Sequence, residues 1–363
     1  MKSQFFKYLR IVCYPIGWIY GLVVIIRNYL FDAKIIKSNK YKTAVISVGN
    51  LTVGGTGKTP HAEYILHLLS DKFNTAMLSR GYKRKSKGLV FANTINANAS
   101  VLGDEAYQVY SKFSQVKVVV DKNRREALKE IESIYSNIDV VVMDDAFQHR
   151  YVTAGLSVLL IDYNRMITED KLLPYGDLRE PSSGKDRADI IVITKCPIDI
   201  GPLETRILRK KLYPKPYQSL FFSAYTYQKP VPVFKDMNNE LTHVDSILLV
   251  TAIAQPKPLK DYLEEQYQNV QSLSYSDHYL LSEKDWCDIS DRFRLMTGTK
   301  YIFVTEKDAA KLVGCKYIPN DLKSYIYAIP LQVKILQGKQ DNFNNKFIDY
   351  VEKNKRNIVI PKN

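Results

Sequence analysis

Apolar positions along this chain alternate between two periods. Short, nearly unbroken apolar runs rich in β-branched residues occur at 44–48, 74–79, 116–120, 138–143, 157–161 and 190–194, the signature of strands buried on both faces. Amphipathic helical spacing fills 60–70, 103–113 and 122–135. Strand and helix in alternation predict a mostly parallel sheet covered by helices on both faces. A second series of strand-like runs follows at 247–251, 270–275 and 301–304, with a helix from Pro256. Between the two series, Pro214, Pro216, Pro230 and Pro232 flank an extended stretch at 220–227, which reads as a linker or a hairpin. The expected organisation is an N-terminal segment 1–31, a core domain 32–212, a linker 213–232, a smaller α/β domain 233–340, and a C-terminal helix 341–363 returning to the core.

The first strand carries the strongest chemical signal. It runs into Gly49-Asn50-Leu51-Thr52-Val53-Gly54-Gly55-Thr56-Gly57-Lys58-Thr59-Pro60, and then into a helix. Strand, glycine-rich loop and helix form a cradle for a nucleoside triphosphate, because backbone N–H groups reach phosphate oxygens where no Cβ intervenes. The helix N-terminus adds partial positive charge. Lys58 is placed to reach the β- and γ-phosphates and Thr59 to offer a hydroxyl to Mg²⁺. Thr52 stands where the usual phosphate-loop pattern has glycine, so Gly54 and Gly55 carry the turn.

Other polar residues follow the later strands. Arg80 ends the second, and Asp104 and Glu105 open the next helix, where an acidic pair also serves simply as a cap. The run 140–143 is wholly apolar and ends in Asp144-Asp145, the pattern that puts a carboxylate beside Mg²⁺. Ligands of such sheets bind beyond the strands' C-terminal ends, and the phosphate loop, Arg80, Asp104, Asp144 and Asp145 all fall there. Lys83, Arg84, Lys85 and Lys87 form a basic loop, read either as a solvated charge run or as a grip on a phosphorylated substrate.

At 363 residues, with 45% hydrophobic and 25% charged residues, the chain has a globular composition. Its net charge of +14 calls for an acidic partner. Residues 1–43 hold eight Lys or Arg against one Asp, which is seven of that excess. The remainder is spread out, which argues against a nucleic-acid stripe. Lys2, Lys7 and Arg10 precede an uncharged, aromatic-containing stretch at 11–26, closed by Arg27. As helix it spans about 24 Å, short of a roughly 30 Å hydrocarbon core. Basic flanks and interfacial aromatics favour an anchor lying on the bilayer, over a buried core helix or a full span. A cleaved leader would need a small-residue cleavage site, and none follows. The four cysteines, Cys13, Cys196, Cys287 and Cys315, lack metal-site spacing and fit a reducing compartment.

Two functional classes remain on these grounds: an ATP-dependent kinase at a membrane surface, and a membrane-associated P-loop switch. A signalling GTPase is disfavoured, because Asp144-Asp145-Ala146-Phe147 lacks the glycine of D-x-x-G and Thr194-Lys195-Cys196-Pro197 lacks the guanine-reading aspartate. Motor-type arginine motifs and aromatic platforms are not evident. A kinase needs phosphate and metal held in line with a hydroxyl, and a base beside it. Asp104 and His278 are the candidates for that base unit.

Taken together, the motifs resemble the tetraacyldisaccharide 4'-kinase (lipid A 4'-kinase) family of Gram-negative bacteria. Trp18-Ile19-Tyr20-Gly21-Leu22, Gly49 to Pro60, Ser79-Arg80-Gly81-Tyr82, Gly103-Asp104-Glu105-Ala106, Asp144-Asp145-Ala146-Phe147-Gln148-His149, Asp177-Leu178-Arg179-Glu180-Pro181, Asp277-His278 and Thr305-Glu306-Lys307-Asp308 occur in the family's order over nearly the whole chain. Two departures stand out: Lys83-Arg84-Lys85 where a glycine usually follows Arg-Gly-Tyr, and Thr251-Ala252-Ile253-Ala254 for Thr-Gly-Ile-Ala. The resemblance implies a P-loop NTPase-like fold with a second α/β domain. It implies transfer of the ATP γ-phosphate to the 4'-hydroxyl of tetraacyldisaccharide 1-phosphate, at the cytoplasmic face of the inner membrane. It further implies that Thr52, Val53, Gly54, Gly55, Thr56, Gly57, Lys58 and Thr59 hold ATP, and that Thr59, Asp144 and Asp145 serve Mg²⁺ and the phosphoryl site. Asp104 and His278 would activate the hydroxyl. Arg80, Glu105, Arg124, Arg179 and Glu180 would line the site or hold substrate, and the phospholipid surface would be the partner of the N-terminal segment.

Overall fold

A computed structural model of the chain describes residues 14–94, 97–234, 241 and 243–359. Lys2, Lys7, Arg10 and Cys13 lie outside the described residues. The strands are β1 (Ala44–Gly49), β2 (Thr75–Ser79), β3 (Val90–Phe91), β4 (Lys117–Val120), β5 (Val140–Met143), β6 (Leu156–Asp162), β7 (Ile190–Thr194), β8 (Ser219–Tyr227), β9 (Val231–Pro232), β10 (Ser246–Thr251), β11 (Asn269–Ser274), β12 (Lys300–Thr305), β13 (Ile326–Ile329) and β14 (Leu331–Ile335). They build two sheets, ordered β14-β8-β7-β6-β1-β5-β2-β4-β3 and β11-β10-β12-β13-β9. In the larger sheet the strands from β8 to β4 are parallel, and β14 and β3 close the two edges antiparallel.

This topology locates the site. From β1 the chain winds outward through β2 and β4, returns to β5 beside β1, and then crosses to β6 on β1's other flank. The order reverses around β1, and a crevice opens beyond the C-terminal ends there. Both faces of the sheet are covered. Ile46, Val48, Val142 and Val158 pack with Ile65, Leu66 and Leu69 of the helix Lys58–Ser70 on one face. Val45, Val141 and Met143 pack with Ala127, Leu128 and Ile131 of the helix Arg124–Ile134 on the other. A strand buried on both faces cannot show polar alternation, which is why its sequence reads as a continuous apolar run.

The stretch expected as a linker differs from that expectation. Leu220, Phe221, Phe222, Ser223 and Ala224 are buried, and β8 lies inside the large sheet between β7 and β14. The prolines bound the strand without interrupting it, so they mark its ends and not a flexible joint. The segment 331–340, expected in the smaller domain, also returns to the large sheet, where β14 pairs antiparallel with β8. The chain's two crossings between the sheets run side by side, with Gln228 N–H donating to Pro330 O at 2.9 Å. The helix Gln340–Val359 then packs Phe343, Phe347 and Val351 against the core of the large sheet. Its Tyr350 hydroxyl donates to Val45 O at 3.2 Å and accepts from Val45 N–H at 3.1 Å.

The helix Tyr14–Asp32 lies on the loops flanking the crevice. A Cβ on Gly21 would meet Leu172 Cδ1 at 2.8 Å, so the glycine permits a close approach there. Tyr20 Oη donates to Arg179 O at 2.6 Å, and Asn28 Nδ2 to Glu180 Oε2 at 2.9 Å. The opposite face stays open: Trp18, Ile19, Leu22, Val23, Ile25, Ile26 and Tyr29 are all exposed, Trp18 to 69%. Among the described residues no helix is long and apolar enough to cross a membrane.

Candidate active site

The glycine-rich loop is held by its surroundings. The Thr52 side chain is buried, accepting from Arg165 Nη2 at 3.3 Å and from Asn50 Nδ2 at 3.4 Å, and its backbone bridges to Leu178. Thr52 therefore braces the loop base, which explains a threonine where the short motif has glycine. Arg165 also donates to Val53 O at 2.7 Å. Thr56 Oγ1 accepts from Asn50 Nδ2 at 2.8 Å, and Thr56 O accepts from Thr194 Oγ1 at 2.9 Å. Lys195 donates to Gly55 O, to Asp162 Oδ2 at 2.6 Å and to Gln255 Oε1 at 3.0 Å, so it ties the loop to both sheets. Gly57 caps the following helix at φ +86°, and a Cβ there would collide with the Tyr225 hydroxyl, so only glycine fits.

His61, one turn into that helix, is buried, with Nδ1 2.8 Å from Gly57 O and Nε2 2.9 Å from Ser223 Oγ. Burial pushes its imidazole down to about 4, only partly offset by Gly57 O. The unfolded chain, titrating near 6.5, takes up this proton first, so the stability contributed by neutral His61 is lost as pH falls from about 6.5 towards 4. Its upper bound is about 3 kcal/mol. Urea unfolding at pH 7.5 and pH 5 should show a steeper loss for the natural chain than for His61→Gln. Equal losses would mean that His61 takes up its proton alike in the folded and the unfolded chain.

Lys58 leaves the loop towards the end of β5. Its Nζ lies 3.7 Å from Asp145 Oδ1, and Arg179 Nη1 lies 3.6 Å from the same oxygen. Asp145 sits at φ +46° and donates its N–H to Asp144 Oδ1 at 2.9 Å. Asp144 is buried. Its acid is pushed up to about 7, first by burial, then by the charges of Glu105 and Asp145, with Lys58 opposing. A divalent cation among Asp144, Asp145 and the Thr59 hydroxyl would relieve that conflict, and this all-oxygen donor set suits Mg²⁺. Among the described residues no three acidic, His or Cys side chains converge on a metal. A Mg²⁺ site of the phosphate-transfer kind needs only one or two carboxylates, with phosphates and water completing its shell.

Arginines surround this centre. Arg124 is buried, its Nη2 lies 3.5 Å from Asp145 O, and its Nε has no hydrogen-bond partner among the described residues. Arg80 is exposed just past the end of β2, whose Leu78 pairs with Met143 and accepts from Asp144 N–H at 3.1 Å, so it follows the strand beside Asp144. Arg179 Nη1 also donates to Gln148 Oε1 at 3.3 Å. Glu180 is placed differently from the other candidates. It is buried, and its two oxygens are engaged by Arg187 at 2.9 and 3.0 Å and by Asn28. Those contacts fasten the N-terminal helix to the loop that carries Arg179. Arg84, from the basic loop, turns inward to the carbonyls of Val120 at 3.3 Å and Gly88 at 2.5 Å, leaving Lys83, Lys85 and Lys87 exposed.

Asp104 and His278 meet across the two sheets. His278 Nδ1 is 3.0 Å from Asp104 Oδ2. Burial works against the charge on Asp104, but the His278 bond and the charges of Lys311 and Lys307 outweigh it, and the carboxyl is held below its usual range. His278 sits at φ +62° with its N–H on Ala252 O at 3.2 Å, and Ala252 N–H in turn reaches Asp308 Oδ2 at 3.0 Å. The Thr305-Glu306-Lys307-Asp308 motif, to which the sequence assigned no roles, supports this unit. Thr305 caps the helix Glu306–Leu312. Glu306 bonds Lys112 at 2.8 Å, which also binds Glu63 of the phosphate-loop helix at 2.8 Å. Lys307 reaches His278 and Asp277. Arg165, Lys195, Lys112 and Lys311 carry no signal in the sequence, because isolated lysines and arginines have no diagnostic spacing until the fold gives them partners.

The chain matches known proteins over nearly its whole length. The family model described as tetraacyldisaccharide-1-P 4'-kinase matches residues 9–352. The tetraacyldisaccharide 4'-kinase of Bacteroides thetaiotaomicron is 47% identical over 358 residues, covering 95% of this chain and 94% of that one. The enzyme of the same name from Flavobacterium johnsoniae is 40% identical over 349 residues, covering 95% and 98%. A crystal structure of LpxK from Aquifex aeolicus in complex with ATP superimposes with a TM-score of 0.72 at 27% identity, covering 94% of this chain and 99% of that one. A phosphate loop and a carboxylate-led strand end, joined to an Asp–His pair, thus sit within a match of nearly full length, and the chain belongs to the tetraacyldisaccharide-1-P 4'-kinase family.

Proposed function

We propose that this chain transfers the γ-phosphate of ATP to the 4'-hydroxyl of tetraacyldisaccharide 1-phosphate, at the cytoplasmic face of the inner membrane. The observation that carries this reading is the Asp104–His278 contact at 3.0 Å, beside a crevice that also holds Lys58 and Asp145. A hydrolytic switch has no need of a second sheet delivering an imidazole to a carboxylate, whereas a kinase needs an oriented base for an alcohol. Lys58 and the loop N–H groups bind the β- and γ-phosphates. Thr59, Asp144 and Asp145 would hold Mg²⁺, which when bound neutralises phosphate charge. Arg80, Arg124 and Arg179 orient phosphate oxygens, Glu105 lines the crevice, and Asp104 with His278 takes the hydroxyl proton. The two sheets act as two domains with the acceptor between them. The test is transfer from γ-labelled ATP to the disaccharide 1-phosphate. Labelled lipid supports the kinase, and label found only as free phosphate sinks it.

The exposed face of Tyr14–Asp32 rests on phospholipid in this reading. Its contacts with Arg179 and Glu180 put that surface next to the crevice, so the acyl chains stay in the bilayer while the sugar enters. Fully burying one large apolar side chain contributes about 1.5–3 kcal/mol. The pair Trp18→Ser and Leu22→Ser should therefore lower binding to anionic vesicles by at least about tenfold. Turnover of detergent-dispersed substrate should change little. Sedimentation equal to the natural chain would move the anchor to another surface.

A further inference from the structure

Two lysines stand at the base unit. Lys307 and Lys311 are four residues apart on the helix Glu306–Leu312, so they face the same neighbour. Lys311 is nearly buried, 3.1 Å from Asp308 Oδ1 and 3.9 Å from Asp104 Oδ2. Lys307 Nζ lies 2.9 Å from Asp277 Oδ1 and 3.1 Å from His278 Nε2. The other Asp277 oxygen is 3.8 Å from Nε2, beyond hydrogen-bond reach. Tyr82 packs against the ring at 5.3 Å between centroids. His278 is thus faced by Asp104, Asp277, Lys307, Lys311 and Tyr82.

An ammonium carries donors and no acceptor. At 3.1 Å from Lys307, His278 Nε2 must be the accepting nitrogen, so the ring's one proton stands on Nδ1 and is donated to Asp104 Oδ2. A second proton on Nε2 would set an N–H⁺ against an N–H₃⁺. Resting on the kinase reading above, we infer that Lys307 is a positioning residue that keeps His278 neutral in the Nδ1–H form, so that Asp104 takes the acceptor's proton. The imidazole then aligns the carboxylate and leaves Asp104 Oδ1 outside these contacts. The step balances. The acceptor O–H bond breaks towards Asp104 as the oxygen's electron pair forms the new bond to the γ-phosphorus. The old bridging P–O pair leaves with ADP, and the proton on Asp104 passes to solvent after product departs.

The test is the pH profile of kcat for lipid phosphorylation, read with the nitrogen NMR of His278 in the natural, histidine-labelled chain. In Lys307→Met, Nε2 is free to take a proton, and an imidazolium paired with Asp104 silences the base. The acid limb of kcat should then move up by about one pH unit or more, with the alkaline plateau within a few-fold of the natural chain. Lys307→Arg should keep the limb in place. A uniform drop in kcat with an unmoved limb would make Lys307 merely structural and overturn the inference. The NMR reading needs no variant: an unprotonated Nε2 at pH 7 supports the inference, and a protonated one overturns it. Absence of labelled lipid from the natural chain would instead overturn the kinase reading, leaving the nitrogen assignment to decide this one.

Discussion

Lys58→Ala is expected to lower phosphoryl transfer by about three orders of magnitude, the scale for removing a principal charge aimed at a reacting group in a water-poor site. The lysine is the first residue of its helix, and its Nζ comes within 3.7 Å of Asp145 at the end of the neighbouring strand. It therefore stands between the loop that holds phosphate and the carboxylates that would hold Mg²⁺. Little stability should go with it. Asp145 keeps Arg179 at 3.6 Å and is one-third exposed, and so loose an ion pair contributes about 1 kcal/mol or less. Single-turnover transfer with labelled ATP, read beside a urea unfolding curve, separates the two effects. Near-natural transfer would take Lys58 out of the reaction.

Asp104→Asn should come next, with kcat lowered by about 10²–10⁴, the range for loss of a positioned general base. The amide keeps the size of the side chain but cannot take a proton, and it presents the wrong partner to the His278 N–H in one of its two orientations. His278→Ala should cost about tenfold or more, because it removes the group that aligns the carboxylate and leaves the carboxylate itself. ATP affinity should hold in both variants, since neither side chain belongs to the phosphate loop. The pair already meets at 3.0 Å, so no further approach of the sheets is required to form it. The measurement is kcat under saturating ATP, with nucleotide binding followed separately. Natural turnover in Asp104→Asn would transfer the role of base elsewhere.

Much of the site is legible as motifs because its chemistry is local. Gly54 to Thr59 lies on one turn of chain, and Asp144 and Asp145 follow directly on β5. In such places a few consecutive residues specify both the backbone path and the functional group. Glu180 shows the limit of this reasoning. Beside Arg179 it looks like part of the same site, yet its carboxylate is buried on Arg187 and Asn28. Only a neighbour 152 positions away in sequence reveals that role. The same holds for Glu306 and Lys307, whose partners Lys112 and His278 come from other parts of the chain.

The hydrophobic pattern by itself determined the class of fold, the strand that leads into the phosphate loop and the strand ends where polar residues gather. A parallel strand buried on both faces must be a continuous apolar run, and such a run is visible in any window of sequence. What only the tertiary structure decided was which strands share a sheet and which distant side chains meet. β8 reads as a linker because prolines bound it, and β14, Leu331-Gln332-Val333-Lys334-Ile335, alternates apolar with polar residues and so lacks the continuous apolar run of the buried strands. Both are strands because each completes the other's hydrogen bonds at the edge of the large sheet. The crossing of the chain between two sheets, set by that pairing, is what brings His278 and Lys307 to Asp104.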